Sequence, residues 1–234
     1  MQFSKNWLGE FLDINLSTEE ICSQLTMAGL EVDGYENFTS KITGKDSIIN
    51  LDITPNRGDG FSVLGVAREL SVINNLKLKL PVANKIPGSF KDDMGIKVCS
   101  EGPIYYGRTL RGLSLKSKTL PLIAERLKMS DQKLIDPVVD ITNYILHSFG
   151  QPMHAFDYDK IKSKKIKVQF LKKGTKFSTL DGIERTLKKE DLMICDDKDP
   201  LCIAGVMGGE SSEVNIRTKN IFLESAYFDS KLVR

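Results

Sequence analysis

Apolar residues near the start of the chain recur at helical spacing. Leu8, Phe11 and Leu12 share one face of a predicted helix. Ser17 and Glu20 stand three residues apart, the pattern in which serine and glutamate side chains cap each other's backbone amides, and they open a second helix carrying Ile21, Leu25 and Met27. Gly29 is placed to stop it, because glycine enters the left-handed conformation that closes helices at little cost. Leu30-Glu31-Val32-Asp33 alternates and predicts a strand, and residues 47–53 predict another that ends in the turn-forming Thr54-Pro55-Asn56-Arg57-Gly58-Asp59-Gly60. Val63, Val66, Ala67, Leu70 and Ile73 then mark a helix that stops near Asn74-Asn75.

From about residue 77 to residue 93 the pattern is lost, and prolines, glycine and mixed charge suggest a linker. Beyond it, residues 105–113 read as strand and residues 120–129 as helix, with Leu120, Ile123, Ala124 and Leu127 on one side. Residues 138–149 are apolar at helical spacing (Ile141, Tyr144, Ile145, Ser148) and end at Gly150-Gln151-Pro152. Ile166, Val168 and Phe170 alternate with polar residues, Asp181-Gly182 marks a hairpin, and three further strands are expected at residues 192–195, 201–206 and 220–226. The expectation is an α+β chain with a largely antiparallel sheet. It divides into a small N-terminal domain (1–80), a linker (81–95) and a larger domain (96–234).

Composition narrows the class without deciding the function. The 234 residues are 41% hydrophobic and 27% charged, which fits a globular protein and not a disordered one. No apolar run approaches the ~20 residues that span a bilayer, and the N-terminus lacks a signal-peptide pattern, so the expected location is the cytoplasm. The formal net charge is only +2, but residues 160–189 hold eleven basic and two acidic residues. Such a stretch can meet phosphate; the plainer reading, favoured here, is lysine on the solvent side of exposed strands. The four cysteines, Cys22, Cys99, Cys195 and Cys202, form no CxxC pair, and no metal site is expected.

The residues with most chemical content lie in four blocks. Val138-Val139-Asp140-Ile141-Thr142-Asn143-Tyr144 places two hydrogen-bonding side chains shortly before Gly150-Gln151-Pro152-Met153-His154-Ala155-Phe156-Asp157. Gly205-Val206-Met207-Gly208-Gly209-Glu210 offers bare backbone, and Phe222-Leu223-Glu224-Ser225-Ala226 puts a carboxylate in an apolar strand. Thr142, Asn143 and His154 are groups that can orient a water or grip a polar ligand. Each has a plainer alternative. His154 can satisfy a buried carbonyl, Asn143 can cap a turn and Thr142 can bond its own helix. Glu224 can face solvent, although Phe222 shares its face by alternation, and the glycines can form only a tight turn.

Together these blocks resemble the editing domain of bacterial phenylalanyl-tRNA synthetase beta subunits. The resemblance extends to Trp7-Leu8, to the run from Leu25 to Asp33, to Thr54-Pro55-Asn56-Arg57 and to the run from Ser62 to Glu69; only about residues 77–104 are uninformative. It implies hydrolysis of tyrosine wrongly esterified to the phenylalanine tRNA. His154, Asn143 and Thr142 would hold the water or ester. Glu224 would read the phenolic hydroxyl beside Gly205, Gly208, Gly209 and Pro152. It implies no cofactor for this portion, with ATP and magnesium serving the full enzyme, and as partners the tRNA and an alpha subunit in an assembly of two alpha and two beta chains. Asp131 and Lys133 stand where the family often has glycine and arginine. Only about residues 38–47 occupy the place of the family's oligonucleotide-binding insert, and the family continues far past residue 234. The end at Lys231-Leu232-Val233-Arg234 favours a fragment over a shortened paralogue. Two other readings stand beside this one: a free-standing deacylase acting in trans, and a non-catalytic tRNA- or subunit-binding module.

Overall fold

The computed structural model describes residues 1–98 and 103–233, so Cys99 and the terminal Arg234 of the sequence reading lie outside the described residues. In chain order the elements are β1 (Gln2–Ser4), α1 (Lys5–Leu8), α2 (Thr18–Met27), β2 (Glu31–Ser40), β3 (Gly44–Asp52) and α3 (Val63–Ile73). They continue as β4 (Gly95–Val98), β5 (Ile104–Leu110), α4 (Pro121–Met129), α5 (Pro137–Phe149), β6 (Met153–Asp157) and β7 (Lys165–Phe170). The last are β8 (Lys176–Ser178), β9 (Glu184–Thr186), β10 (Leu192–Cys195), β11 (Pro200–Ile203), β12 (Met207–Gly208), β13 (Ile221–Tyr227) and α6 (Ser230–Val233). Among the described residues β4 and β7 pair in parallel and the other named strand pairs are antiparallel, the α+β architecture expected. No helix among the described residues is long and apolar enough to cross a membrane.

Contacts divide the chain into two compact units, Met1–Ile86 with Lys118–Pro152, and Pro87–Ser117 with Met153–Arg234. This division differs from the limits drawn on the sequence, which gave residues 118–152 to the second domain. The reason lies in the side chains of α4 and α5. Tyr144 stacks flat on Trp7 with ring centroids 5.2 Å apart, and Phe149 meets Phe11 edge-on at 5.6 Å. Arg126 is only 5% exposed, donates to the Tyr144 hydroxyl at 2.8 Å and pairs with Glu10. A guanidinium is tolerated there because its charge is paired and its plane lies near the Trp7 ring.

The first unit is built on a three-stranded sheet in the order β1-β3-β2. The expected N-terminal helix is a single turn, α1, preceded by the short strand β1; Leu8, Phe11 and Leu12 are buried all the same. The capping box at α2 is present, with Glu20 N donating to Ser17 Oγ and Ser17 N to Glu20 Oε2. Ile21 and Leu25 enter the core, whereas Met27 is 85% exposed, because it falls outside the stripe that the period of 3.6 defines. Residues 38–47 are largely strand: β2 and β3 extend to a turn at 41–43, where Ser40 Oγ accepts from the Ile42 and Thr43 amides.

In the second unit a five-stranded sheet, β12-β11-β10-β7-β4, and a three-stranded sheet, β5-β13-β6, share one core. Ile166, Val168 and Ile194 come from the larger sheet, Phe156 and Phe222 from the smaller. All five are fully buried, each side chain contributing about 1.5–3 kcal/mol relative to exposure. Asp181-Gly182 turns the β8–β9 hairpin, with Gly182 at φ +73°. Strand β6 is not foreseen by the sequence pattern, and it is the strand that carries His154.

Candidate active site

Strand β13 runs down the middle of the three-stranded sheet, and its register fixes the site. Glu224 is the direct partner of His154 on β6 and of Gly107 on β5. Residues directly opposite on an antiparallel pair point to the same face, with Cβ atoms ~5 Å apart. Alternation puts Phe222 on that face too, and Phe222 is in the core, so Glu224 is drawn inward. It is 6% exposed, which excludes the solvent-facing alternative.

The buried carboxyl has a partner. The Tyr105 hydroxyl donates to Glu224 Oε2 at 2.7 Å. Burial pushes the Glu224 carboxyl up to about 7, against the smaller opposing pull of the Tyr105 hydrogen bond. Burial and the neighbouring carboxylate hold the Tyr105 phenol far above its ordinary value, so it remains a donor. The Cys202 thiol on β11 is also raised, by burial first and then by the Glu224 charge.

His154 is half-buried and meets Phe156 edge-on at 4.5 Å. Burial lowers its imidazole to about 4, so it is neutral at pH 7 and offers one nitrogen as acceptor and one as donor. Its ring edge faces β12. A Cβ on Gly208 would stand 2.7 Å from His154 Cε1 and 2.8 Å from Leu180 Cδ1, so only glycine fits without displacement. Gly209 is bare for a different neighbour, the Phe177 ring at 2.6 Å from an added Cβ. Gly205 sits in the β11–β12 turn at φ +70°, where a side chain would meet Phe228 and Val233.

Thus the structure brings together His154, Glu224 and Gly208 in the second unit, while Thr142, Asn143 and Pro152 belong to the first. Thr142 is buried in α5 and its hydroxyl donates to Val139 O at 2.8 Å, the local bond that was its alternative. Asn143 is half-buried in the interior of α5 and caps no turn. Pro152 is exposed just ahead of β6. Tyr105 is not among the residues that the sequence singles out. Its one signal is the alternation Tyr105-x-Gly107-x-Thr109, which leaves a bare position under the Phe222 ring; a Cβ on Gly107 would lie 2.0 Å from Phe222 Cζ.

Chemically, a neutral imidazole beside a carboxyl balanced between its two protonation states can position a water and accept a hydrogen bond from a hydroxyl. Among the described residues no group of three or more His, Cys, Asp or Glu is placed to hold a metal ion.

A family model described as the B3/4 domain matches residues 101–234. The phenylalanine–tRNA ligase beta subunit of Legionella pneumophila (strain Lens) is 44% identical over 186 residues, covering 79% of this chain and 23% of that protein. The same subunit of Porphyromonas gingivalis is 45% identical over 197 residues, covering 81% of this chain and 24% of that protein. The chain therefore spans about a quarter of the length of these curated relatives. A solved N-terminal fragment of the phenylalanyl-tRNA synthetase beta subunit from Pyrococcus horikoshii is similar with a TM-score of 0.48 and 20% identity, covering 99% of this chain and 69% of that one.

Proposed function

The chain belongs to the B3/4 domain family, and from that premise we propose that it is the N-terminal portion of a phenylalanine–tRNA ligase beta subunit carrying the site that hydrolyses tyrosine misattached to the phenylalanine tRNA. The observation that supports this reading most is the buried Glu224 carboxyl directly opposite His154. In the reaction a water oxygen attacks the ester carbonyl carbon, the bond to the ribose oxygen breaks, and the tRNA hydroxyl takes up a proton. Neutral His154 accepts a hydrogen bond from that water and orients it. Glu224 accepts the hydrogen bond of the substrate phenol. Phenylalanine would leave the carboxyl without that hydrogen bond, at a cost of about 1–3 kcal/mol. Gly208, bare of a side chain, lets β12 come up close against the imidazole and holds its ring in place. The roles of Thr142, Asn143, Pro152, Gly205 and Gly209 rest on the resemblance alone. On this reading the longer cytoplasmic enzyme charges the tRNA with phenylalanine, using ATP and magnesium in parts outside this chain, and pairs with an alpha subunit.

The test is hydrolysis by the 234-residue chain of the phenylalanine tRNA charged with tyrosine or with phenylalanine. Selective release of tyrosine is expected, slowed about 10²-fold in His154→Ala and with its selectivity flattened in Glu224→Ala. Release of both amino acids at the buffer rate would overturn the reading.

A further inference from the structure

Glu224 has two carboxyl oxygens, and the structure commits one of them. Tyr105 stands two residues before Gly107, the β5 partner of Glu224, so its side chain lies diagonally across from the carboxyl on the same face. Its ring packs against the core that holds Phe156, Phe222 and Cys202, and its hydroxyl reaches Oε2 at 2.7 Å. The packing and the hydrogen bond together fix the position of the phenol. Among the described residues the ionisable groups around Glu224 are Tyr105 from β5, His154 from β6 and Cys202 from β11. Of these, Tyr105 is the one that donates to it.

We propose that Tyr105 is a positioning and selectivity residue: it holds Glu224 Oε2 and thereby presents Oε1 as the acceptor for the phenol of a tyrosyl ester. This deepens the editing reading and rests on it for the selectivity half. Two consequences follow from the hydrogen bond. It restrains the carboxyl in one rotamer, so the acceptor is aimed before substrate arrives. It also favours the ionised carboxylate, and a charged acceptor binds a phenol more strongly than a neutral one. A tyrosine of the chain thus stands beside the carboxyl that would recognise the tyrosine of the substrate, each phenol using a different oxygen.

Tyr105→Phe tests this in the full chain, since it removes one oxygen and keeps the ring in the core. The first readout needs no substrate: the titration of the Glu224 carboxyl, followed by carbon NMR on glutamate-labelled protein and assigned by its loss in Glu224→Gln. The expected result is an upward shift of about one pH unit; an unchanged midpoint overturns the positioning role. The second readout is kinetic. The KM for tyrosyl-tRNA rises about tenfold with kcat within about twofold, and preference for tyrosyl over phenylalanyl ester falls by the same factor. Lowered thermal stability with unchanged titration and unchanged selectivity shows a merely structural tyrosine and overturns the proposal. If the unaltered chain hydrolyses neither ester, the editing reading and the selectivity role fail together, while the titration still decides whether Tyr105 sets the state of Glu224.

Discussion

His154 and Glu224 face each other across β6 and β13 and are displaced in opposite directions by the same burial, the imidazole to about 4 and the carboxyl to about 7. Their effects on stability oppose each other. The folded carboxyl keeps a proton that the unfolded one releases above its ordinary 4.5, so its contribution is full below 4.5 and lost as pH rises to about 7. The folded imidazole refuses a proton that the unfolded one takes up below 6.5, so its contribution is full above 6.5 and lost as pH falls to about 4. Each is on the order of 3 kcal/mol at most. Between 4.5 and 6.5 the two slopes offset one another. Relative to the unaltered chain, His154→Asn is expected to lose stability as pH rises through that window and Glu224→Gln as pH falls. Urea midpoints measured at half-unit steps check this, and curves parallel to the unaltered chain would contradict it. Gly208→Ala is expected to displace the imidazole, costing about 1–3 kcal/mol of stability in urea denaturation and slowing hydrolysis at temperatures where the variant is still folded. At this scale His154 and Glu224 stand out in the sequence because a histidine after Pro-Met and a glutamate between Leu223 and Ser225 break apolar runs. Tyr105 does not, because an aromatic residue in a strand is ordinary and its meaning depends on a partner 119 positions away.

Among the elements, those with a regular stripe and a chemical cap were legible. Helix α2 has its Ser17–Glu20 box, and α5 ends as expected at Gly150 in the left-handed conformation; its cap at Asp136, whose carboxylate accepts from the Val138 and Val139 amides, is not foreseen by the sequence pattern. Ser17→Ala and Asp136→Ala are each expected to destabilise the chain by about 1 kcal/mol, read from chemical denaturation; a loss below the error of that measurement would show the caps to be idle. Elements governed by tertiary contact were not legible. Strand β1 owes its three residues to pairing with β3. Strand β6 follows directly on Gly150-Gln151-Pro152, a punctuation that reads as loop, and exists because β13 lies beside it. In α4 the apolar stripe placed Leu120 inward, yet Leu120 precedes the helix and is 65% exposed, while Arg126 takes an interior place through its bonds to Glu10 and Tyr144. A guanidinium paired inside one unit gives no apolar signal for periodicity to find.

For the whole molecule, composition located the loss of pattern around residues 77–93 but not which segments pack with which, because α4 and α5 return to the first unit through aromatic and guanidinium contacts that hydropathy does not encode. The basic stretch between residues 160 and 189 also changes character once folded. Lys162 pairs with Asp199, Lys165 and Lys167 with Asp197, Lys176 with Glu184, Arg185 with Asp181, and Lys189 with Glu190. Six of the eleven cations are thus answered by carboxylates, and those six release few counterions on meeting RNA. The affinity of this chain for the tRNA is therefore expected to fall by less than about 10³-fold between 50 and 200 mM salt, as filter binding would measure; a steeper loss would mark the lysines as a true phosphate-binding surface. The order of the small sheet carries a last consequence. Because β13 lies between β5 and β6, those two earlier strands have no ladder to join until it arrives. A nascent polypeptide emerging from the ribosome would carry Tyr105 and His154 on unpaired strands, without the carboxyl they flank, until β13 is translated, so premature termination upstream of Ile221 would abolish the chemistry and leave two strand edges open to aggregation.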